Sequence, residues 1–286
     1  MDTHEKYAKL KNIIKDYGSL AVAFSGGVDS TFLIKTAHDV LGDSVIAVTA
    51  RSCFFPGWEQ NEAKIFCEKE NIKHVTCQID VLNIDGVAQN PPDRCYLCKN
   101  GILKEIKQTA DSYDIKYIAD GSNFDDANDY RPGFQAVKER GIKSPLKETE
   151  LTKAEIRELS KELGLPTWDK PSFACLASRF AYGEEITEKK LGMVEQAEQL
   201  LLNLGFVQMR VRIHCLNINT AIARIEISPN DFVKIIEPEI SQKIYDEFKR
   251  YGFAYITLDL KGYRMGSMNE VLLTDITDIT NITDII

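Results

Sequence analysis

The stretch that most constrains this chain runs from Ala21 to Ser30. A short apolar run ends in a loop with the sequence S-G-G-V-D-S, and apolar residues at helical spacing follow at once. The pattern predicts a buried strand, a tight turn and a helix. Gly26 and Gly27 let the backbone turn without a Cβ in the way, so N–H groups of the turn and of the first helical turn can face one concavity. Such a concavity at a helix N-terminus attracts phosphate.

Polar side chains add to this loop. Ser25 and Ser30 supply hydroxyl donors, and we expect Asp29 to cap the helix or to act through a metal ion, Mg²⁺. The loop lacks the lysine of a Walker A motif and the spacing of a dinucleotide-binding G-x-G-x-x-G. It resembles instead the S-G-G-x-D-S loop of the ATP pyrophosphatases, which grip the β- and γ-phosphates, cleave ATP between α and β, and leave AMP on an acceptor. An ordinary turn rich in Gly and Ser is the alternative.

Charge and composition exclude several classes of protein. The chain has 286 residues and a net charge of −8, which argues against a general nucleic-acid binder but leaves room for a local basic groove. No apolar run reaches the roughly 20 residues of a membrane span, and the charged N-terminus does not resemble a signal peptide. Seven cysteines without an export signal favour thiols or metal ligands over disulfides. We therefore expect a cytoplasmic protein with no membrane partner.

Strands alternate with helices through the first part of the chain. We expect strands at 45–50, 74–79 and 117–122, and helices at 4–17, 61–70, 99–113 and 152–163. The last helix begins with a capping signal, Thr152-x-x-Glu155. The alternation predicts an α/β fold with a doubly wound parallel sheet. Arg51 follows the strand at 45–50, and Gly121 lies where the strand at 117–122 runs into a Gly-Ser turn. Both positions are at the sheet edge where such folds bind ligands.

The pattern changes after a stretch rich in Pro, Ser, Ala and Gly at 171–182. Helices are expected at 187–204 and 241–251, and strands at 207–213, 221–227 and 255–260. These elements predict a smaller C-terminal α+β domain. We set the domains at 1–178 and 179–273, followed by a tail at 274–286. The tail is a crude Thr-Asp-Ile repeat, for which a frayed end or an oligomer contact is the plain interpretation.

Three cysteines form a second informative pattern. Cys95 and Cys98 form a C-x-x-C pair, which suits one metal centre or a redox disulfide. Cys175 lies on a loop that could fold back over the sheet edge. Three thiolates suit an iron–sulfur cluster with one open iron, or zinc with a fourth ligand, and plain small residues are the remaining alternative. The other four cysteines lie on or beside apolar segments. Cys67, Cys77 and Cys215 are expected in the core, and Cys53 at a strand edge.

Over nearly its whole length the sequence resembles the LarE family, the ATP-dependent sulfur transferases of nickel-pincer nucleotide biosynthesis. The most specific stretches are 25–30, 128–133, 178–180, 210–212, 223–226, 258–260 and 262–264. The resemblance implies a PP-loop fold of the adenine nucleotide alpha hydrolase type. It implies that ATP adenylylates a pyridinium carboxylate of a nicotinate-derived nucleotide and that sulfur then displaces AMP to leave a thiocarboxylate. It also implies a homo-oligomer, such as a hexamer.

The cysteine positions distinguish two branches of that family. Sacrificial members donate the sulfur of one cysteine, whose position here is Ala174, one residue before Cys175. That branch also lacks cysteines at positions 95 and 98. The sequence therefore resembles the other branch, in which three cysteines hold a [4Fe-4S] cluster. The resemblance implies a catalytic route in which the open iron carries sulfide from a sulfur donor.

The loop, the sheet edge and the resemblance each predict a set of site residues. We expect the nucleotide to bind at Phe24, Ser25, Gly26, Gly27, Asp29, Ser30, Arg51 and Gly121. The resemblance implies a cluster held by Cys95, Cys98 and Cys175. The expected catalytic residues are Cys175, Glu198, Arg210, Arg212, Glu226 and Asp231.

The second-domain residues have physical roles to test. Arg210 and Arg212 alternate along a strand, so both point to one face and suit phosphate or carboxylate by bidentate pairing, unless that face is simply solvated. Glu198, Glu226 and Asp231 match positions implicated in the family. They are expected to orient substrate or move protons, and the alternative is that they are surface carboxylates. Arg264 in a turn is a second candidate anion ligand or a plain loop cation. His214 is expected to be a satisfied structural histidine.

Other functions use the same loop. Thiolation of tRNA would need a basic, aromatic surface, which the net charge of −8 disfavours. An ammonia-using enzyme such as NAD synthase shares the ATP loop, but three cysteines near the loop count against it. A noncatalytic nucleotide sensor with a zinc site is the third alternative. The expected partners are thus a small-molecule nucleotide and sulfide or a sulfur donor.

Overall fold

The computed structural model describes residues 1–128, 133–171, 174–217, 220–264 and 266–269. They divide into two compact units, one of residues 1–87 and 93–175, the other of residues 88–92 and the chain from Leu176 onward. The domain bounds of 178 and 273 set from sequence stay a prediction. The tail and most of the 128–133 stretch lie outside the described residues.

The first unit is a parallel sheet between helices. Its strands are β1 (Leu20–Ala23), β2 (Val45–Arg51), β3 (Lys73–Gln78) and β4 (Tyr117–Ala119). Its helices are α1 (Thr3–Tyr17), α2 (Val28–Leu41), α3 (Gly57–Lys69), α4 (Arg94–Asp111), α5 (Gly133–Glu139), α6 (Pro145–Glu148) and α7 (Lys153–Glu162). The strand order is β3-β2-β1-β4, with every pair parallel. The predicted doubly wound α/β fold is confirmed.

The sheet has an apolar core on each face, which is why its central strands β1 and β2 read as nearly continuous apolar runs. Along β1, Leu20 and Val22 pack into one core with residues of α1, α2, α3 and α7. Ala21 points the other way and packs with Leu103 and Ile106 of α4. Because both faces are covered by helices, ligands can reach the sheet at the ends of its strands.

Helix ends agree with the sequence at α7 and differ at α4. Thr152 and Glu155 form the predicted capping box at the start of α7. The helix predicted to begin at residue 99 instead begins at Arg94, because the carbonyl oxygen of Asp93 accepts the N–H groups of residues 96 and 97. The C-x-x-C pair therefore lies in the first turn of α4, where residues three apart share one face.

The second unit contains a small mixed sheet. Its elements are α8 (Glu188–Asn203), β5 (Met209–Asn217), β6 (Thr220–Ile227), α9 (Phe232–Ile235), α10 (Pro238–Tyr251) and β7 (Phe253–Leu258). The order is β5-β6-β7, antiparallel and then parallel. The predicted small α+β domain is confirmed in its architecture. Strand β7 begins two residues before its predicted start, because the left-handed Gly252 ends α10 and the chain enters the strand at once.

One face of this second sheet is charged. In the register of β5 and β6, Arg210 lies opposite Glu226 and Arg212 opposite Arg224, so their side chains share a face. The alternate residues Val211 and Ile225 are buried on the other face. Among the described residues, no helix has the length and apolar character that a membrane crossing requires.

Candidate active site

The S-G-G-V-D-S loop closes on itself through its hydroxyl groups. The Oγ atoms of Ser25 and Ser30 lie 3.1 Å apart, and the Ser25 N–H donates to Ser30 Oγ at 3.3 Å. Ser30 Oγ in turn donates to the Gly27 carbonyl at 3.2 Å. Gly27 is the N-cap of α2 and offers no side-chain cap, so the first N–H groups of the helix are left for a ligand. This geometry suits a phosphate group.

Two glycines make the close packing of the loop possible. Gly26 has φ +73°, a left-handed conformation that residues with a side chain rarely adopt, and it lies against Ala63 of α3. At Gly121, a Cβ atom would lie 3.0 Å from the backbone nitrogen of Ser30 and 3.3 Å from Cβ of Asp29. Gly121 thus lets the end of β4 approach the first turn of α2.

Asp29 does not cap the helix. Its Oδ2 accepts from Lys153 Nζ at 2.5 Å, and its Oδ1 accepts from the Asn123 amide at 3.4 Å. The carboxylate therefore points at a cation brought by α7 and is only half-buried. The expectation of a role through a metal ion stays a prediction.

A second carboxylate, Asp120, organises the same sheet edge. It is buried, and it accepts from Lys99 Nζ at 3.1 Å, from Ser122 Oγ at 2.7 Å and from Ser144 Oγ at 2.7 Å. These bonds tie α4, the end of β4 and the start of α6 to one point.

Two other predicted nucleotide residues differ in placement. The Phe24 ring is buried in the core of the first unit, so its backbone is what the loop can offer a ligand. Its carbonyl accepts from Thr49 Oγ1 at 2.8 Å. Arg51 is exposed at the end of β2. Burial lowers the pKa of His74, and the positive charge of Arg51 lowers it further.

The structure brings the three predicted cysteine ligands into one neighbourhood of the first unit. Burial raises the pKa of the Cys98 thiol, and Cys175 and Cys95 raise it further, as does Cys53 to a smaller extent. The buried guanidinium of Arg94 opposes this and donates to Cys95 Sγ at 3.6 Å. In the part of the chain that the structure describes, no group of three or more His, Cys, Asp or Glu side chains is arranged to hold a metal ion.

Three of the other cysteines, which were expected in the core, differ in burial. Cys67 is fully buried, and burial raises the pKa of its thiol to about 12, as expected for a core residue. Cys77 packs against the core on the α4 side. Cys215 is half-buried, and burial followed by Glu184 raises the pKa of its thiol to about 11.

Glu198 is not a surface carboxylate. In the second unit it is buried and accepts Nε and Nη2 of Arg179 at 2.8 and 2.7 Å, a bidentate pair. Its Oε1 also accepts the Val211 N–H at 2.9 Å, which fixes α8 against β5. Because Arg179 is 1% exposed and Glu198 is also buried, water cannot solvate either charge if the pair is broken.

Glu226 is likewise buried, at 0% exposure, so the alternative of a surface carboxylate is wrong here too. Its Oε2 accepts Nε and Nη2 of Arg212 at 3.1 and 2.9 Å, and its Oε1 accepts Ser267 Oγ at 2.7 Å. Arg212 also donates to the Ser178 carbonyl at 3.0 Å. The solvated strand face is excluded for Arg212, whose exposure is 5%.

The network extends to a third carboxylate. Asp259 pairs with Arg224 at 3.3 Å and with Arg264 at 3.1 Å. Burial favours a raised pKa for Asp259, but the Lys261 N–H and Arg264 outweigh it and hold the pKa below its usual value. Arg264 is therefore engaged within the turn. Arg224 also reaches Glu226 at 3.1 Å.

Arg210 completes the cluster. It is buried, with its guanidinium 5.2 Å from the Tyr263 ring centroid. Burial and then the positive charge of Arg179 lower its pKa. In the described part of the unit, five arginines thus meet three carboxylates, and the excess of positive charge favours an anion: Arg179, Arg210, Arg212, Arg224 and Arg264 with Glu198, Glu226 and Asp259.

Two further residues singled out from the sequence, Asp231 and His214, belong to the second unit. Asp231 is half-buried at the end of a short 3-10 turn before α9. His214 follows the arginines on β5, and within the described residues its buried Nε2 has no hydrogen-bond partner, so the expectation of a satisfied histidine is wrong. Burial and then Arg224 lower its pKa.

Sequence reasoning missed the cations around the loop. Lys153 and Lys170 reach it from 124 and 144 residues away along the chain. One local signal existed: a lysine directly after a helix N-cap opposes the helix dipole, so Lys153 needs a carboxylate partner. Arg179 lies within a stretch that resembles the family, but its pairing with Glu198 was not foreseen.

Comparison with known proteins shows to which family the chain belongs. No family model matches it. It is 37% identical to pyridinium-3,5-bisthiocarboxylic acid mononucleotide synthase of Lactiplantibacillus plantarum, over 93% of this chain and 95% of that enzyme. The chain belongs to the LarE family. An uncharacterized protein of Synechocystis is 41% identical over 93% of this chain and 98% of its own length.

More distant relatives support the fold of this LarE-family chain. One subunit of the glutamine-hydrolyzing GMP synthase from Archaeoglobus fulgidus is 22% identical over 68% of this chain and 67% of its own length. Its similarity agrees with the parallel sheet and the loop after β1. The LarE-family chain is thus an enzyme of the ATP-dependent PP-loop class.

Proposed function

We propose that the chain is an ATP-dependent sulfur transferase of nickel-pincer nucleotide biosynthesis. In the first step, a pyridinium carboxylate of a nicotinate-derived nucleotide attacks the α-phosphorus of ATP and pyrophosphate leaves. In the second, a sulfide sulfur attacks the acyl carbon, the bond to the AMP oxygen breaks, and a thiocarboxylate and AMP result. The observation that carries this proposal is the loop of residues 25–30 at the N-terminus of α2 in a relative of the named synthase.

The loop has the chemistry to hold the leaving pyrophosphate. Its N–H groups and the hydroxyls of Ser25 and Ser30 are donors, and donors stabilise the charge that develops on a leaving phosphate. Asp29, which already faces a cation, would hold Mg²⁺, and the ion would neutralise phosphate charge. Gly121 keeps the sheet edge close to these groups.

The arginine network of the second unit has the chemistry to hold the anionic substrate. The lowered pKa of Arg210 means that a negative charge nearby would stabilise its charged form. Glu198 and Glu226 orient Arg179 and Arg212 for that purpose. Asp231 remains our candidate for orienting substrate or moving a proton.

For the three thiols we propose a [4Fe-4S] cluster rather than a single zinc ion. A lone zinc needs its ligands to converge on one point, whereas the thiolates of a four-iron cube bind different irons. Cys95 and Cys98 on one helical turn, with Cys175 near Cys98, would be the ligands. The cluster would supply an iron site at which sulfide is held deprotonated.

The proposed partners are small molecules: the nucleotide substrate and sulfide or a sulfur donor. Nucleic acid is not among them. We also propose a homo-oligomer, for which sedimentation equilibrium is the test.

Product analysis tests the reaction. Incubated with ATP, sulfide and the pyridinium dicarboxylate nucleotide, the enzyme should release pyrophosphate and AMP in equal amounts, together with thiocarboxylate. Orthophosphate as the direct product would overturn the proposal. Ammonia in place of sulfide should give no amide. Amide formation would favour an ammonia-using enzyme.

Iron analysis and mass spectrometry test the sulfur source. After anaerobic purification, alanine at Cys95, Cys98 or Cys175 should each remove most of the bound iron. Cys53→Ala is the matched control, since Cys53 lies in the same neighbourhood but outside the proposed ligand set. After turnover the intact mass should be unchanged. A loss of about 34 Da, the mass of H₂S, would show that a thiol had become dehydroalanine and would restore cysteine sacrifice.

A further inference from the structure

Two lysines supply the cations that the loop sequence lacks, and they contact it differently. Lys153 Nζ binds the side chain of Asp29 at 2.5 Å. Lys170 Nζ instead donates to the backbone carbonyl of Gly26, inside the turn, at 3.0 Å. The first lysine neutralises a carboxylate, whereas the second lies against the part of the loop that carries the phosphate-facing N–H groups.

The main chain at Lys170 is held in place by α7. Arg157 donates from Nη1 to the Trp168 carbonyl at 2.7 Å and from Nη2 to the Lys170 carbonyl at 2.8 Å. Arg157 lies one turn after Lys153, so one helix positions both lysines. The capping box of α7 and the ion pair between Lys6 and Glu155 fix that helix at its start.

The ammonium of Lys170 can exchange its bond to Glu62 for a bond to a phosphate. It has three N–H donors, and two are used by Gly26 O and by Glu62 Oε2 at 2.8 Å. The Lys170 side chain is only 15% exposed, so little conformational freedom is left to lose on binding. Glu62 is 55% exposed and can return to water when a phosphate takes its place.

We propose that Lys170 contacts the β- and γ-phosphates of the nucleotide and sets the preference for ATP and pyrophosphate over AMP. The inference rests on the proposed function, because it concerns the ATP that the transferase consumes. A lysine acts on phosphate as a point charge, the role of the Walker A lysine. Here tertiary structure brings the lysine from the segment after α7.

Titration calorimetry on the full chain tests the assignment with ATP, pyrophosphate and AMP. Lys170→Met should weaken ATP and pyrophosphate about tenfold to hundredfold, the effect of one charged hydrogen bond, and AMP by less than about twofold. Lys170→Arg should retain most of the affinity for ATP. Lys161→Met is the matched control: its ammonium lies 4.8 Å from the Trp168 ring centroid in the same segment, and its removal should change none of the three.

Glu62→Gln gives a test in the opposite direction that does not depend on how Lys170→Met folds. Removing the competing carboxylate should tighten ATP binding a fewfold. Unchanged or weakened ATP binding in Glu62→Gln overturns the assignment, as does a Lys170→Met variant that binds ATP like wild type or loses AMP equally. Wild-type protein that binds no ATP would overturn the proposed function as well.

Discussion

We propose that the nucleotide loop and the arginine network both hold anions, and the two regions are built from different groups. The loop uses N–H groups and hydroxyls of six consecutive residues, with lysine and aspartate side chains that are partly exposed. In the network, the guanidinium groups of Arg179, Arg210 and Arg212 are buried, and the first and last of these pair with buried carboxylates. Losing a functional group should cost little stability in the loop and much more in the network.

The physical reason is the state of the group left behind. A partly exposed ion pair contributes about 0–1 kcal/mol, because water replaces the lost partner. A buried pair that loses one partner leaves a charge without solvation, which costs about 3–5 kcal/mol. Function and stability are therefore separable in the loop and coupled in the network.

The largest effect should come from Asp29→Asn. We expect turnover, followed as pyrophosphate release, to be abolished, because the variant lacks the carboxylate that we propose holds Mg²⁺ beside the phosphates. The free energy of unfolding, measured with urea, should change by no more than about 1 kcal/mol, since the pair with Lys153 is partly exposed. A large loss of stability here would remove the contrast between the two regions.

Glu198→Gln should show the opposite behaviour. It leaves the buried guanidinium of Arg179 without its counter-charge, and we expect a loss of about 3–5 kcal/mol in urea unfolding. Glu247→Gln is the matched control, because its partner Arg250 is 72% exposed, and it should change stability by less than about 1 kcal/mol. Equal effects in the two variants would contradict the burial argument.

Arg212→Lys should separate charge from geometry. Lysine keeps the positive charge beside Glu226 but cannot also serve Ser267 and the Ser178 carbonyl in the same way. We expect kcat/KM for the pyridinium substrate to fall about tenfold to hundredfold. ATP affinity should stay at the wild-type value, and a parallel loss of ATP binding would place Arg212 in the nucleotide site instead.

The smallest effect concerns acid stability. Burial, and then the charge of Arg51, lowers the pKa of His74 from its usual value of 6.5, so the unfolded chain binds this proton more readily than the folded one. Above pH 6.5, the contribution of His74 to the free energy of unfolding should not change with pH. Below pH 6.5, this contribution should decrease by at most about 1.4 kcal/mol per pH unit.

His74→Gln should remove part of that fall, because glutamine can still bond Thr49 Oγ1 without titrating. His4→Gln is the matched control on an exposed side chain. Urea unfolding at neutral pH and at lower pH measures both variants. An unchanged pH dependence in His74→Gln would show that other groups carry the acid sensitivity.

What the sequence determined by itself was local. The loop after β1, the alternation of strands and helices, and the capping box of α7 depend on residues within one turn or one element of each other. Local rules of backbone conformation and apolar spacing decide such features. For the same reason the C-x-x-C pair was found, although the start of α4 was placed five residues too late.

Only the tertiary structure decided which charges meet. Lys170 reaches Gly26 through the packing of α7, and Arg212 meets Glu226 through the register of β5 and β6. Neither packing nor register is encoded in the spacing of the residues concerned. Burial has the same origin: Glu198 and Glu226 look like any surface carboxylate in the sequence. They become structural charges because the helix and sheet around them exclude water.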